Sequence, residues 1–185
     1  TSGIVPLQAE WQRLSRTLSP VITINGEEGI WSIGDYTVPA LLIRSRTLEN
    51  DERLFRKLYK VMTVEKGDTE PMMNIVCWRT GYDYLSVVFP RRKHRPDCYR
   101  AEGEDRMMVS PGALDMAGLI ITPRKDDFER ITPELAESII KEVAIDNEAF
   151  TVMVEAMKAE HATAQQETKS KKEPLVQVGI ISTER

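Results

Sequence analysis

Two runs of apolar and β-branched residues, Met72–Thr80 and Tyr84–Phe89, stand either side of Gly81-Tyr82-Asp83. A break of that length with glycine in it joins two strands as a hairpin. An antiparallel sheet is therefore expected at the middle of the chain. Upstream, Val21–Ile24 is β-branched and runs into the turn signal Asn25-Gly26, after which Gly29–Ile33 and Val38–Arg44 supply two further strands. Downstream, a polar loop over 90–105 precedes two short strands, Arg106–Val109 and Met116–Thr122, separated by Ser110-Pro111-Gly112.

Helical spacing occupies the remainder. Trp11, Leu14 and Leu18 share one face of a short helix over 9–18 that Pro20 ends. Asn50 or Asp51 caps a helix reaching about Val64, with Leu54, Phe55, Leu58, Val61 and Met62 as its apolar stripe and Lys66-Gly67-Asp68 as its stop. Thr132 and Pro133 start another, with Leu135, Ile139 and Val143 on one face. Asp146 caps the last, which carries Phe150, Met153, Val154 and Met157. The class is α+β: an antiparallel sheet, then C-terminal helices. From His161 to Glu173 apolar periodicity vanishes, and the stretch reads as a solvated linker. Pro174–Ser182 then reads as the first strand of a following domain, leaving residues 1–160 as the α+β domain.

A chain of 185 residues, 41% hydrophobic and 29% charged, is long enough for one domain with a real core. The net charge of −4 gives no global positive field, so no nucleic-acid partner is expected. Cys77 and Cys98 form no CxxC pair, and the two histidines, His94 and His161, have no partner at metal or triad spacing. No metal and no cofactor are expected. Two free thiols and the lack of a signal peptide suit the cytoplasm. No run approaches the roughly 20 apolar residues that span a bilayer. The chain starts without Met, as an excised fragment would.

Chemistry concentrates between Pro90 and Arg124. Arg91, Arg92, Lys93, His94 and Arg95 follow directly on an apolar strand, with Arg100 shortly after. Cations held at the end of a rigid strand suit a phosphate, a pyrophosphate or a carboxylate. Composition alone favours a basic loop that is solvated, or paired with Glu102, Glu104 and Asp105. Asn74, inside an apolar strand, either satisfies neighbouring backbone or faces a ligand. Asp115, in a segment of small residues from Ser110 to Gly118, either accepts a backbone hydrogen bond or reaches a ligand. No P-loop, dinucleotide fingerprint or nucleophile elbow is present.

Three blocks in order carry a family resemblance: Met73–Trp78, Val87–Arg91 and Ser110–Arg124, followed by Asp126, Asp127, Phe128 and Glu129. This pattern resembles the C-terminal half of GDP-galactose phosphorylases and diadenosine tetraphosphate phosphorylases, in the histidine-triad and galactose-1-phosphate uridylyltransferase superfamily, and within it a bacterial branch. The resemblance implies a bent antiparallel sheet with helices packed on one side. It also implies a nucleotide or nucleotide sugar and phosphate as ligands, with Asn74 and Arg91 on the nucleotide side of the site. The family's nucleophile is a histidine in a His-x-His-x-Gln motif that attacks the α-phosphorus. That motif is absent here, and the resemblance places the start of this chain just downstream of it. No catalytic residue is then expected within the 185 residues, and the chain alone is expected to be inactive. The fold can equally serve as a non-catalytic binding or scaffold module. Val176–Ser182 resembles the start of a sporulation-protein-D or amidase-enhancer domain.

Overall fold

A computed structural model describes residues 5–170. Two helical turns, α1 (Pro6–Ala9) and α2 (Trp11–Leu14), precede strands β1 (Leu18–Thr23), β2 (Gly29–Ile33) and β3 (Ala40–Ser45). Helix α3 (Leu48–Val61) leads to the hairpin β4 (Met73–Thr80) and β5 (Asp83–Pro90). Then come α4 (Asp97–Arg100), a 3-10 turn at Gly103–Asp105, α5 (Ala113–Met116), α6 (Lys125–Arg130), α7 (Pro133–Val143) and α8 (Asn147–Ser170). The strands form one antiparallel sheet in the order β1-β2-β3-β5-β4. The class expected from sequence, α+β, is the class observed.

The hairpin follows from its turn. Gly81 sits at φ 59°, a left-handed conformation that glycine adopts without penalty, and β4 and β5 pair in unbroken register from Met73 opposite Pro90 to Thr80 opposite Asp83. Alternation then divides the strands between two cores. Leu42, Leu85, Val87 and Phe89 face Leu7, Leu14, Met116, Ile140 and Val143. Leu41, Ile43 and Val88 face Leu54 and Leu58 of α3 and Met153 and Met157 of α8. The two long helices thus lie on one face of the sheet, and the other is covered by short helices and irregular chain.

Several local expectations change. The helix expected over 9–18 is two separate turns, and Leu18 already belongs to β1. Pro20 lies within β1 beside a register shift, which an edge strand tolerates because its missing N–H costs no ladder bond. Helix α3 is capped by Thr47, whose hydroxyl accepts from the Asn50 N–H at 3.1 Å, rather than by Asn50 or Asp51. The two short strands expected at 106–109 and 116–122 do not form. Met107 and Val109 are buried there, but side-chain carboxylates take the place of ladder partners. Asp127 accepts the Met108 N–H at 3.0 Å, and Asp115 accepts the Ile121 N–H at 2.8 Å. The stretch from His161, read as linker, continues α8 to Ser170, while 174–182 lies outside the described residues.

Asp51 lies in the first turn of α3. Its carboxylate accepts from the Ser45 hydroxyl at 3.2 Å and the Ser86 hydroxyl at 3.3 Å, and both serines are buried. Burial raises its pKa above the ordinary carboxylate value, against the lowering effect of the two hydroxyls. A carboxyl whose folded pKa is raised holds its proton more tightly when folded. Its contribution is fully present below the unfolded value of about 3.9 and is lost as pH rises through the folded value. Asp51→Asn is expected to gain stability relative to wild type as pH rises from about 4 to 7 in urea titrations; parallel curves would contradict this. Leu58, fully buried, is expected to cost about 2–5 kcal/mol as Leu58→Ala in the same assay.

Candidate functional site

β5 ends at Pro90, and Arg91 continues its direction. The Arg91 N–H donates to Met72 O at 2.9 Å, and Arg91 bridges Ala144 just beyond α7. Ile145 N–H donates to Pro90 O at 3.2 Å and Arg92 N–H to Val143 O at 3.0 Å. The chain leaving β5 is thus held between β4 and the end of α7.

The Arg91 side chain is only 7% exposed, and its neighbours explain how a cation is tolerated there. Nη1 donates to Asn74 Oδ1 at 2.9 Å and to Pro111 O at 2.7 Å. Nη2 donates to Lys93 O at 3.0 Å and to His94 O at 2.7 Å. Four donors on a planar fork meet four acceptors from β4, the 111 turn and the basic turn, a geometry a lysine cannot reproduce. Desolvation lowers the Arg91 pKa, and the negative charge of Asp115 acts against that.

Asp115 is 5% exposed and its carboxylate is committed to backbone. Oδ2 accepts from the Gly112 N–H and Oδ1 from the Ile121 N–H, each at 2.8 Å. It fixes the turn that presents Pro111 O to Arg91. Asn74 meets the Arg91 side chain rather than backbone, and Asp115 meets backbone N–H groups. Arg91, Asn74 and Asp115 therefore form one connected unit at the exit of β5.

The other basic residues differ in commitment. Lys93 Nζ lies 2.5 Å from both Asp97 Oδ1 and Glu142 Oε1, which together raise its pKa. Arg92 is exposed, with Nε donating to Glu142 O at 3.1 Å and Nη1 3.8 Å from Asp146. Arg95 stacks its guanidinium 4.2 Å from the Tyr99 ring centroid. The His94 ring is exposed and makes no hydrogen bond among the described residues. The counter-charges are Asp97, Glu142 and Asp146, not the downstream acids Glu102, Glu104 and Asp105.

Sequence reading missed Glu142. It accepts from Lys93 and from the Asp97 N–H at 2.8 Å, and its carbonyl accepts from Arg92. No local spacing could have shown this, because Glu142 is 49 residues from Lys93. It also missed an open groove of about 880 Å³ beside the basic turn, lined in part by Phe55, Tyr59, Glu70, Arg92, Lys93 and His94. Phe55, on the apolar stripe of α3, packs against the core. It packs beside Tyr59, with ring centroids 6.0 Å apart.

Residues 13–164 match the protein-family model described as GDPGP1-like, C-terminal domain. No curated protein and no solved structure matches.

Removing the fork leaves four acceptors without a donor. Arg91→Ala is expected to cost about 3 kcal/mol or more, given roughly 1–3 kcal/mol for each buried group left unsatisfied. Arg91→Lys is expected to recover only part of this. Arg95→Ala, which breaks one surface stack, is expected to stay within about 1 kcal/mol. Urea denaturation of the three variants checks the ranking, and equal losses at 91 and 95 would contradict it.

Proposed function

Because the chain belongs to the GDPGP1-like, C-terminal domain family, we propose that it forms the substrate-binding wall of a nucleotide phosphorylase or nucleotidyltransferase. On this reading the complete enzyme is a cytoplasmic bacterial transferase of the histidine-triad superfamily. The attacking histidine lies outside these residues. What this chain contributes is a shaped, positively charged edge.

The observation that carries the reading is the placement of Arg92, Lys93 and His94 along the groove that Phe55 and Tyr59 also line. Arg92 and Lys93 at one part of the groove suit a pyrophosphate, and an aromatic side chain at another suits a nucleobase. Arg91, Asn74 and Asp115 then act one step back: they hold the basic turn in shape. The ligand class is a nucleotide or nucleotide sugar, with phosphate as the second reactant.

The alternative, a scaffold module without a ligand, is favoured by one specific observation. Much of the positive charge is already answered within the protein, by Asp97 and Glu142 at Lys93 and by carbonyls at Arg91. Calorimetric titration with GDP, inorganic phosphate and diadenosine tetraphosphate separates the two. GDP is expected to bind, and Arg92→Ala combined with His94→Ala to weaken it at least about tenfold, equivalent to about 1.4 kcal/mol. Absence of heat with every probe would favour the scaffold.

A further inference from the structure

Beside the groove lies a second hollow that the nucleotide reading leaves unused. It is a cavity of about 210 Å³. Met62, just past α3, lines it together with Pro90 and Arg92 at the exit of β5, Ile145, and Ala149 and Met153 on the first turns of α8.

Local folding makes this cavity largely apolar. The Ile145 N–H donates to Pro90 O at 3.2 Å and the Arg92 N–H to Val143 O at 3.0 Å, so the chain entering α8 is laced to the chain leaving β5. The backbone groups used in that lacing are not offered to the cavity. Asp146, also on its lining, accepts the Ala149 N–H at 2.8 Å and so caps α8. Met62 and Met153 are buried, and their thioether chains adapt to an irregular apolar guest. Ala149 is exposed and small, so it takes up little of the opening.

Arg92 borders both this cavity and the groove. Along α3 the same division appears: Phe55 and Tyr59 line the groove, and Met62, the next turn on, lines the cavity. Arg92 spends Nε on Glu142 O, while Asp146 Oδ2 lies 3.8 Å from Nη1, beyond hydrogen-bond range. Among the described residues Nη1 and Nη2 donate no hydrogen bond, so the guanidinium keeps two nitrogens for an anion. Glu65 and Asp146 are the acids on the cavity wall, and the Arg91 fork is committed elsewhere, so an anion is favoured at Arg92.

We propose that the cavity is a subsite for a compact apolar group carried on the phosphate that Arg92 meets: the aryl or short alkyl substituent of a phosphate ester. This rests on the reading of Arg92 as a phosphate contact, and not on the nucleotide. An apolar cavity of roughly 150 Å³ holds a benzene ring, so the volume here suffices for a phenyl-sized group. The phosphate stays at the border with the groove, and the substituent packs on Met62, Pro90, Ile145 and Met153.

NMR titration of the full 185-residue chain, labelled at its methionine methyls, tests the proposal with inorganic phosphate and phenyl phosphate as probes. Phenyl phosphate is expected to bind at least about tenfold tighter, through burial of its ring, with nuclear Overhauser contacts from the ring to the Met62 and Met153 methyls. Arg92→Ala is expected to weaken both probes. Ala149→Leu, which enlarges an exposed helix position on the cavity wall, is expected to remove the advantage of the ring. Equal affinity for the two probes overturns the proposal, as does binding of neither, and so does a ring that contacts neither methionine. If GDP fails to bind while phenyl phosphate binds against Met62 and Met153, the nucleotide reading falls and the subsite stands.

Discussion

The Arg91 guanidinium is the constraint from which the geometry of this molecule's functional end follows. It is a full cation, 7% exposed, and burial on that scale is costly unless its donors are met. Those of Nη1 and Nη2 are met by groups that have nothing else in common: a side-chain amide on β4, a carbonyl in the 111 turn, and two carbonyls of the basic turn that the arginine itself begins; the buried Nε has no partner among the described residues. Three segments distant in sequence are thereby bound to one planar fork. The shape of the basic turn is a consequence. Lys93 and His94 give their carbonyls to Arg91 and so turn their side chains elsewhere. Lys93 reaches Glu142, and the exposed His94 ring makes no hydrogen bond among the described residues.

The same economy appears wherever the backbone leaves the sheet. Among the described residues no strand beyond β5 pairs with 107–109 or 120–122, and N–H groups there need other acceptors. Asp127 and Asp115 supply them. Gly118 permits the next step. At φ 96° it has no side chain, and a Cβ would come within 2.9 Å of Pro6, so α1 can lie directly against the turn. The Leu7 N–H closes that contact by donating to Ala117 O at 3.1 Å. Carboxylates and a glycine thus build the second face of the domain, where regular structure is sparse.

This explains which parts of the fold were legible in the sequence. The β4–β5 hairpin, α3 and α7 were visible because alternation, the Gly81 turn and the apolar stripe of Leu54 and Leu58 are local signals. Residues 106–109 and 116–122 look like strands by their apolar runs because the acceptors that replace a ladder are not in view. Of the candidate site, Asn74, Arg91 and Asp115 each stand out in the sequence, but their joining at one guanidinium does not. Whether an arginine at a strand end faces a ligand or protein acceptors depends on Asn74 and Pro111, 17 and 20 residues away. Composition carries no record of such distances. The family match over 13–164 then gives the fold its setting without assigning any of these side chains.

Amide hydrogen exchange in wild type and Arg91→Gln tests most directly whether one guanidinium holds these segments together. The account expects protection to fall together at Arg92, Gly112, Ile121 and Ile145 in the variant, with the amides of α3 unchanged. Loss confined to residues adjoining 91, with Gly112 and Ile121 still protected, would contradict it.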